Sequence, residues 1–223
     1  TLYISNRIQP LFPFIKRVLV NEDRFDFQAL IRMSSTVFHA FGEQLNPEYS
    51  NDPSFWMDYD AILMDTMVLE DLNQTLVDSL KDFVQKKGGG LLLFGPLEIA
   101  RIKLGGIVPA KSVERVFAKQ NLSLVTLEEP LFGPVDEVDK MKPFLPNRLP
   151  GFFVKEQNSA ARGVVLSRAN GKPVLTVQAY GSGKVGYWGS PSDWRRSMND
   201  EEGAKEFRVF WQALVQWLGT GGE

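Results

Sequence analysis

The residues best suited to chemistry in this chain lie just after predicted β-strands. They are Ser5-Asn6-Arg7, Asp65-Thr66, Gly95-Pro96 and the loop at residues 190–195, which contains Ser190, Asp193, Trp194 and Arg195. Parallel α/β sheets bind ligands outside the carboxyl ends of their strands, because loops and helix N-termini converge there. The positions therefore predict one crevice, in which arginines 7, 195 and 196 face Asp65 and Asp193, suited to an anionic or sugar-like ligand. The other interpretation, which is favoured, is structural: Asp193 and Arg195 pin the last loop while Trp194 packs beneath it.

The inventory of side chains contains no nucleophile with a matching base. The chain has no cysteine and a single histidine, His39, whose apolar neighbours indicate a structural residue. A hydrolase would therefore have to activate a water molecule with a carboxylate, and Asp65 is the candidate, provided that burial raises its pKa. We expect a domain without catalytic activity, cofactor or metal; hydrolysis through Asp65 is the alternative.

Three further motifs are interpreted as structural. Gly88-Gly89-Gly90 precedes a predicted strand and so ends a helix instead of binding phosphate at a helix N-terminus. The segment Gly181-Ser182-Gly183-Lys184 lacks a following helix and predicts a hairpin turn. Several carboxylates lack the spacing of a calcium loop and predict a solvated face: Glu128, Glu129, Asp136, Glu137 and Asp139.

Composition limits the possible partners. The chain has 223 residues, with 43% apolar and 23% charged, as expected of one soluble globular domain spanning residues 1–223. A formal net charge of -2 gives no global field to attract nucleic acid. No apolar run approaches the ~20 residues needed to cross a bilayer, so this segment is not expected to insert into a membrane. Because it begins at Thr1 without a start signal, we expect a piece of a longer polypeptide.

The order of predicted elements indicates an α/β fold. Strands are predicted at residues 2–4, 25–31, 59–64 and 91–94, and helices at 11–19 and 72–84. Residues 163–188 predict an antiparallel meander of three strands, and residues 207–218 a closing amphipathic helix. The proline-rich segment at about 97–153 predicts short helices and loops. Two aromatic pairs, Phe55-Trp56 and Phe152-Phe153, fall in predicted loops, where they either plug an edge or meet a partner; the plug is favoured.

Five segments together resemble the glutamine amidotransferase-like domains of bacteria, most closely those in large membrane-anchored proteins with von Willebrand factor type A modules. They are YDAILMD at 59–65, FVQKKGGGLLLFG at 83–95, LPNRLP at 145–150, YGSGKVGYW at 180–188 leading to Asp193-Trp194-Arg195, and FWQALVQWL at 210–218. The resemblance implies a flavodoxin-like three-layer sandwich with a mostly parallel central sheet, plus the antiparallel meander and the closing helix.

The catalytic residues of that family are not matched in this chain. Active class I amidotransferases place a cysteine on a tight turn after a strand, oriented by a histidine and a glutamate of a later loop. Here the turn reads Gly95-Pro96-Leu97-Glu98, and the later loop, residues 189–193, reads GSPSD. The resemblance therefore implies a non-catalytic binding or scaffold domain of an envelope-associated parent protein. Its expected location is extracytoplasmic, with the cytoplasm as the alternative. The expected partner is a small molecule, a glycan, a protein or another domain of the parent chain; a carbohydrate-binding module is a further alternative.

Overall fold

The fold is a three-layer α/β sandwich built on one large mixed sheet. The computed structural model describes residues 1–34, 37–42, 52–118, 122–124, 149–167 and 171–221. The strands are β1 (Leu2–Ser5), β2 (Gln28–Arg32), β3 (Phe38–Phe41), β4 (Ala61–Asp65), β5 (Gly90–Phe94), β6 (Ala110–Ala118), β7 (Leu122–Leu124), β8 (Leu149–Gln157), β9 (Arg162–Ser167), β10 (Pro173–Tyr180) and β11 (Gly183–Trp188). The helices are α1 (Phe12–Val20), α2 (Val68–Asp71), α3 (Gln74–Asp82), α4 (Leu97–Leu104) and α5 (Glu201–Gly219).

Nine of these strands form the main sheet, in the order β3-β2-β1-β4-β5-β11-β10-β9-β7. The five strands from β2 to β11 run parallel, with Ser5 opposite Ile31 and Asp65 opposite Phe94 in the register. The outer strands β3, β10, β9 and β7 each pair antiparallel with the strand on their inner side, and β9 and β10 complete the predicted meander with β11. Because the carboxyl ends of β1, β4, β5 and β11 share one edge, the loops that follow them lie side by side.

The two faces of the sheet are covered by different helices. Alternate strand residues point to opposite faces, so Tyr3, Leu63 and Leu92 pack under α1 and α5, while Leu2, Ile62 and Leu91 pack under α2, α3 and α4. Burial of both faces explains why β4 and β5 read as continuous apolar runs. The predicted fold class is confirmed.

Several predicted boundaries are shifted. Strand β2 begins at Gln28 and not near Phe25. The helix predicted at 72–84 is α3, which Asn73 caps by accepting a hydrogen bond from the Leu76 amide at 3.0 Å. A π-helical turn (Phe83–Lys87) extends it until Gly88, whose φ of 87° ends the helix as predicted.

The proline-rich segment contains more regular structure than expected. It includes α4 and two nine-residue strands, β6 and β8, which pair with each other as a separate antiparallel ribbon. Phe153 lies in β8 and is 2% exposed, so it is a core residue and not part of a loop. Residues 125–148, with the five carboxylates of the predicted solvated face, lie outside the described residues, as do residues 145–148 of LPNRLP.

The aromatic pair Phe55-Trp56 packs against the core, as the favoured interpretation predicted. Trp56 is fully buried in a 3₁₀ turn (Phe55–Asp58), and its Nε1 donates to the Leu76 carbonyl at 3.2 Å. At the other end of the chain, α5 buries Phe207, Phe210 and Trp211 on the stripe that the sequence predicts. None of the helices in the described part of the chain is both long and apolar enough to span a bilayer.

Candidate functional site

The carboxyl edge of the sheet places a buried carboxylate, Asp65, at the end of β4. The side chain of Asp65 is fully buried, and its Oδ2 accepts hydrogen bonds from Gln9 Nε2 at 2.6 Å and Arg7 Nε at 3.4 Å. Its Oδ1 accepts from the Met67 amide at 3.1 Å. Both oxygens are therefore engaged, and the carboxylate joins the loop after β1 to the loop after β4. Arg7 itself is 58% exposed, so one side of this ion pair faces solvent.

Gly95 stands immediately beside this carboxylate, at the end of β5. Its φ is 108°, a backbone conformation that residues with a side chain rarely adopt. A Cβ atom at this position would lie 2.7 Å from Asp65 Oδ1 and 3.0 Å from Thr66 Oγ1. The Thr66 hydroxyl donates to the Pro96 carbonyl at 2.8 Å, and the Tyr187 hydroxyl donates to the Gly95 carbonyl at 2.9 Å. The turn is therefore held from two sides and leaves no space for a side chain.

Five predicted site residues thus lie together: Arg7, Asp65, Thr66, Gly95 and Pro96. We call them the strand-end group. Gln9 belongs to it as well, although the sequence analysis missed it, because the loop after β1 brings it back over the end of β4. A polar residue two positions after Arg7 was the only signal that pointed to it. Whether this group binds a ligand stays a prediction.

Asp193 does not join the strand-end group in any ion pair or hydrogen bond of the described residues. It is 5% exposed, and its Oδ2 accepts from Arg196 Nη2 at 3.1 Å and from Trp211 Nε1 at 3.2 Å. Burial raises the pKa of the Asp193 carboxyl against the opposing effect of Arg196, and burial lowers the pKa of Arg196. The ion pair lies within the 3₁₀ turn (Asp193–Met198), and the hydrogen bond from Trp211 fixes this turn to helix α5.

The remaining predicted residues also serve packing in the last loop. The Trp194 ring stacks on Phe14 of α1 with centroids 5.1 Å apart, and the exposed Arg195 guanidinium lies 5.2 Å from the Trp194 ring. Ser190 is buried, and its carbonyl accepts from the Asp193 amide. The arginine that binds Asp193 is Arg196 and not Arg195, because the 3₁₀ turn brings residues three apart onto the same side. His39 is exposed on the edge strand β3, three strands from β4.

Because of two tyrosines near the strand ends, we expect the fold to lose stability at high pH. Burial raises the pKa of both Tyr3 and Tyr187 far above the usual value near 10, and the Asp65 charge adds to the effect at Tyr3. Above about pH 10 the unfolded chain loses these protons while the native chain keeps them, so the free energy of unfolding falls as pH rises. We expect a fall of roughly 1.4 kcal/mol per pH unit for each tyrosine. Urea titrations at a series of pH values should show a shallower decline for Tyr3→Phe; an unchanged slope would contradict the assignment.

Comparison with known proteins gives similarity of fold to solved structures. No family model matches the chain, and no curated protein matches it. Among solved structures, a cytoplasmic protein of Salmonella typhimurium matches with a TM-score of 0.62 and 18% identity, over 100% of this chain and 99% of its own. A second cytoplasmic protein, of strain LT2, matches with a TM-score of 0.55 and 16% identity, over 97% and 95%. A glutamine amidotransferase matches with a TM-score of 0.51 and 11% identity, over 98% and 99%.

These similarities support the amidotransferase-like fold, and at such identities they show the fold alone. They overturn one expectation: the two Salmonella structures are described as cytoplasmic proteins, so the expected extracytoplasmic location is wrong. The association with von Willebrand factor type A modules and a membrane anchor stays an untested expectation of the sequence resemblance.

Proposed function

We propose that this chain is a non-catalytic binding domain on an amidotransferase-like fold. The observation that carries the proposal is the filled space at Gly95, in the turn where active members of the resembling family carry their nucleophile. Asp65 Oδ1 and Thr66 Oγ1 occupy the volume that a nucleophilic side chain would need. The strand-end group therefore stabilises a turn instead of performing a reaction.

The contacts of Asp65 weigh against its use as a general base. A base must accept a proton from a water molecule that lies within hydrogen-bonding distance of it. The Asp65 oxygens already accept from Gln9, Arg7 and the Met67 amide, and the side chain is fully buried. An attacking water would have to displace one of these donors.

The surroundings of Trp194 weigh against a sugar platform at the last loop. Its ring contacts both the Phe14 ring and the Arg195 guanidinium. A sugar that stacked on this ring would have to compete with those contacts. Arg7 is the one charged member of the strand-end group that offers exposed surface to an anion.

The proposal is tested by assaying the purified domain with glutamine and with chromogenic esters. We expect no turnover above the buffer rate for the natural chain, and none for Asp65→Asn. Asp78→Asn, which changes an exposed carboxylate on α3, is the matched control. Turnover that Asp65→Asn abolishes while Asp78→Asn preserves it, with both variants folded by circular dichroism, would establish the carboxylate hydrolase and defeat the proposal.

A further inference from the structure

A second concave surface lies between helices α1 and α5, outside the strand-end group. Its volume is about 450 Å³, within the range of small-molecule pockets. Val18 of α1 and Phe207 of α5 line it and are buried, so it has an apolar floor. We call this surface the α1–α5 cleft.

The two helices that form the cleft are joined by a buried amide. Gln212 of α5 is 6% exposed, and its Nε2 donates to the Val18 carbonyl of α1 at 3.2 Å. Its Oε1 accepts from Arg24 Nη2 at 3.2 Å, which ties the loop after α1 to the same point. These bonds fix the walls of the cleft relative to each other, so little ordering would be needed when a ligand binds.

Three cationic side chains line the cleft: Arg17 in the last turn of α1, and Lys205 and Arg208 on α5. All three are exposed. None of them forms an ion pair with a carboxylate of the described residues. Cations gathered in a concave site without anionic partners raise the local positive potential and attract anions.

The two carboxylates that also line the cleft are engaged otherwise. Glu22 Oε2 lies 3.7 Å from Arg24 Nε, outside the group of three cations. Glu201 is the first residue of α5, where the positive end of the helix dipole stabilises a carboxylate. The cleft therefore keeps an excess of positive charge, although the whole chain has a net charge of -2.

We propose that the α1–α5 cleft binds a compact organic anion, a phosphate or carboxylate joined to a small apolar group. Arg17, Lys205 and Arg208 bind the anionic group, and Val18 and Phe207 pack against the apolar group. This inference rests on the proposed binding function. Its test measures ligand binding, whereas the test of the proposed function measures enzymatic turnover. Its failure would leave the absence of catalysis standing, and turnover in the assays above would not affect it.

The test adds phenyl phosphate, benzoate or inorganic phosphate to the natural chain. Binding is measured from the amide chemical shifts in nuclear magnetic resonance spectra. We expect saturable shifts for the amides of Asn21, Ser197 and Ala204, which line the cleft. Phenyl phosphate should bind more tightly than inorganic phosphate, because only the former covers the apolar floor. The comparison of phenyl phosphate with benzoate distinguishes the two anionic groups.

Substitution separates this site from general charge attraction. Arg208→Gln removes one charge-assisted hydrogen bond and should weaken phenyl phosphate binding about tenfold. Lys155→Gln, which changes an exposed cation of β8 away from the cleft, should leave the affinity unchanged. Shifts that never saturate, or an equal loss in both variants, would overturn the proposal. Inorganic phosphate binding as tightly as phenyl phosphate would overturn the role of Val18 and Phe207.

Discussion

Replacing Gly95 with cysteine is expected to destabilise the domain by about 3 kcal/mol and to give no glutaminase activity. Two costs contribute to this loss. A side chain at a φ of 108° is strained, and its Cβ would lie 2.7 Å from the buried Asp65 Oδ1. Activity should stay absent because no imidazole stands near the turn: His39 lies on the edge strand β3. The free energy of unfolding in urea and a glutaminase assay measure the two effects.

Gly171→Ala is the matched control for the backbone cost alone. Gly171 also has a positive φ, 67°, but a Cβ there would meet nothing within 4 Å. We expect this variant to lose only about 1 kcal/mol. If Gly95→Cys were no more destabilised than Gly171→Ala, the crowding by Asp65 and Thr66 would be refuted, and with it the main support for the non-catalytic assignment.

The second large effect is expected at the buried ion pair of the last loop. Asp193→Asn should lower the free energy of unfolding by about 3 kcal/mol, because it removes a charged hydrogen-bond partner from the buried Arg196 guanidinium. Both side chains are at most 5% exposed, so water cannot replace the lost interaction. Urea denaturation of the two proteins measures the difference.

An exposed pair provides the control for this experiment. Asp82 and Lys86 are 42% and 70% exposed and lie 2.7 Å apart, and Asp82→Asn should change stability by less than about 0.5 kcal/mol. Adding Arg196→Gln to Asp193→Asn should recover part of the loss, since the second substitution removes the buried positive charge. A loss at Asp193→Asn no larger than at Asp82→Asn would mean that the pair does not hold the loop.

The sequence alone predicted the elements whose local hydrophobic pattern matches their burial in the fold. Strands β4 and β5 read as apolar runs because both of their faces are covered, and α5 shows its buried stripe through steps of three and four. The absence of cysteine and the presence of a single histidine are also properties of the sequence, because they follow from which residue types are present. The end of the π-helical turn that follows α3 was predictable, since glycine at residue 88 adopts a positive φ that other residues avoid.

The pairing of strands that are far apart along the chain could not be predicted from the sequence. Strands β6 and β8 were missed because the prolines of this segment predicted loops, and because a register shift near Ser112 interrupts the alternation in β6 by which strands are recognised. A mostly parallel central sheet was predicted. The parallel pairing of β11 with β5 was not, because it depends on how the meander packs against the sheet.

The orientation of each candidate side chain was also decided by tertiary structure. Sequence position placed Asp65 and Asp193 at neighbouring strand ends and suggested one crevice. In the folded chain, Asp65 binds Gln9 and Arg7 across the sheet edge, whereas Asp193 turns inward to Arg196 and Trp211. A buried charge must take the partners that surround it, and those partners come from segments up to 58 residues away in the chain. The residue types therefore exclude a cysteine nucleophile, while only the packing determined which groups the two carboxylates bind.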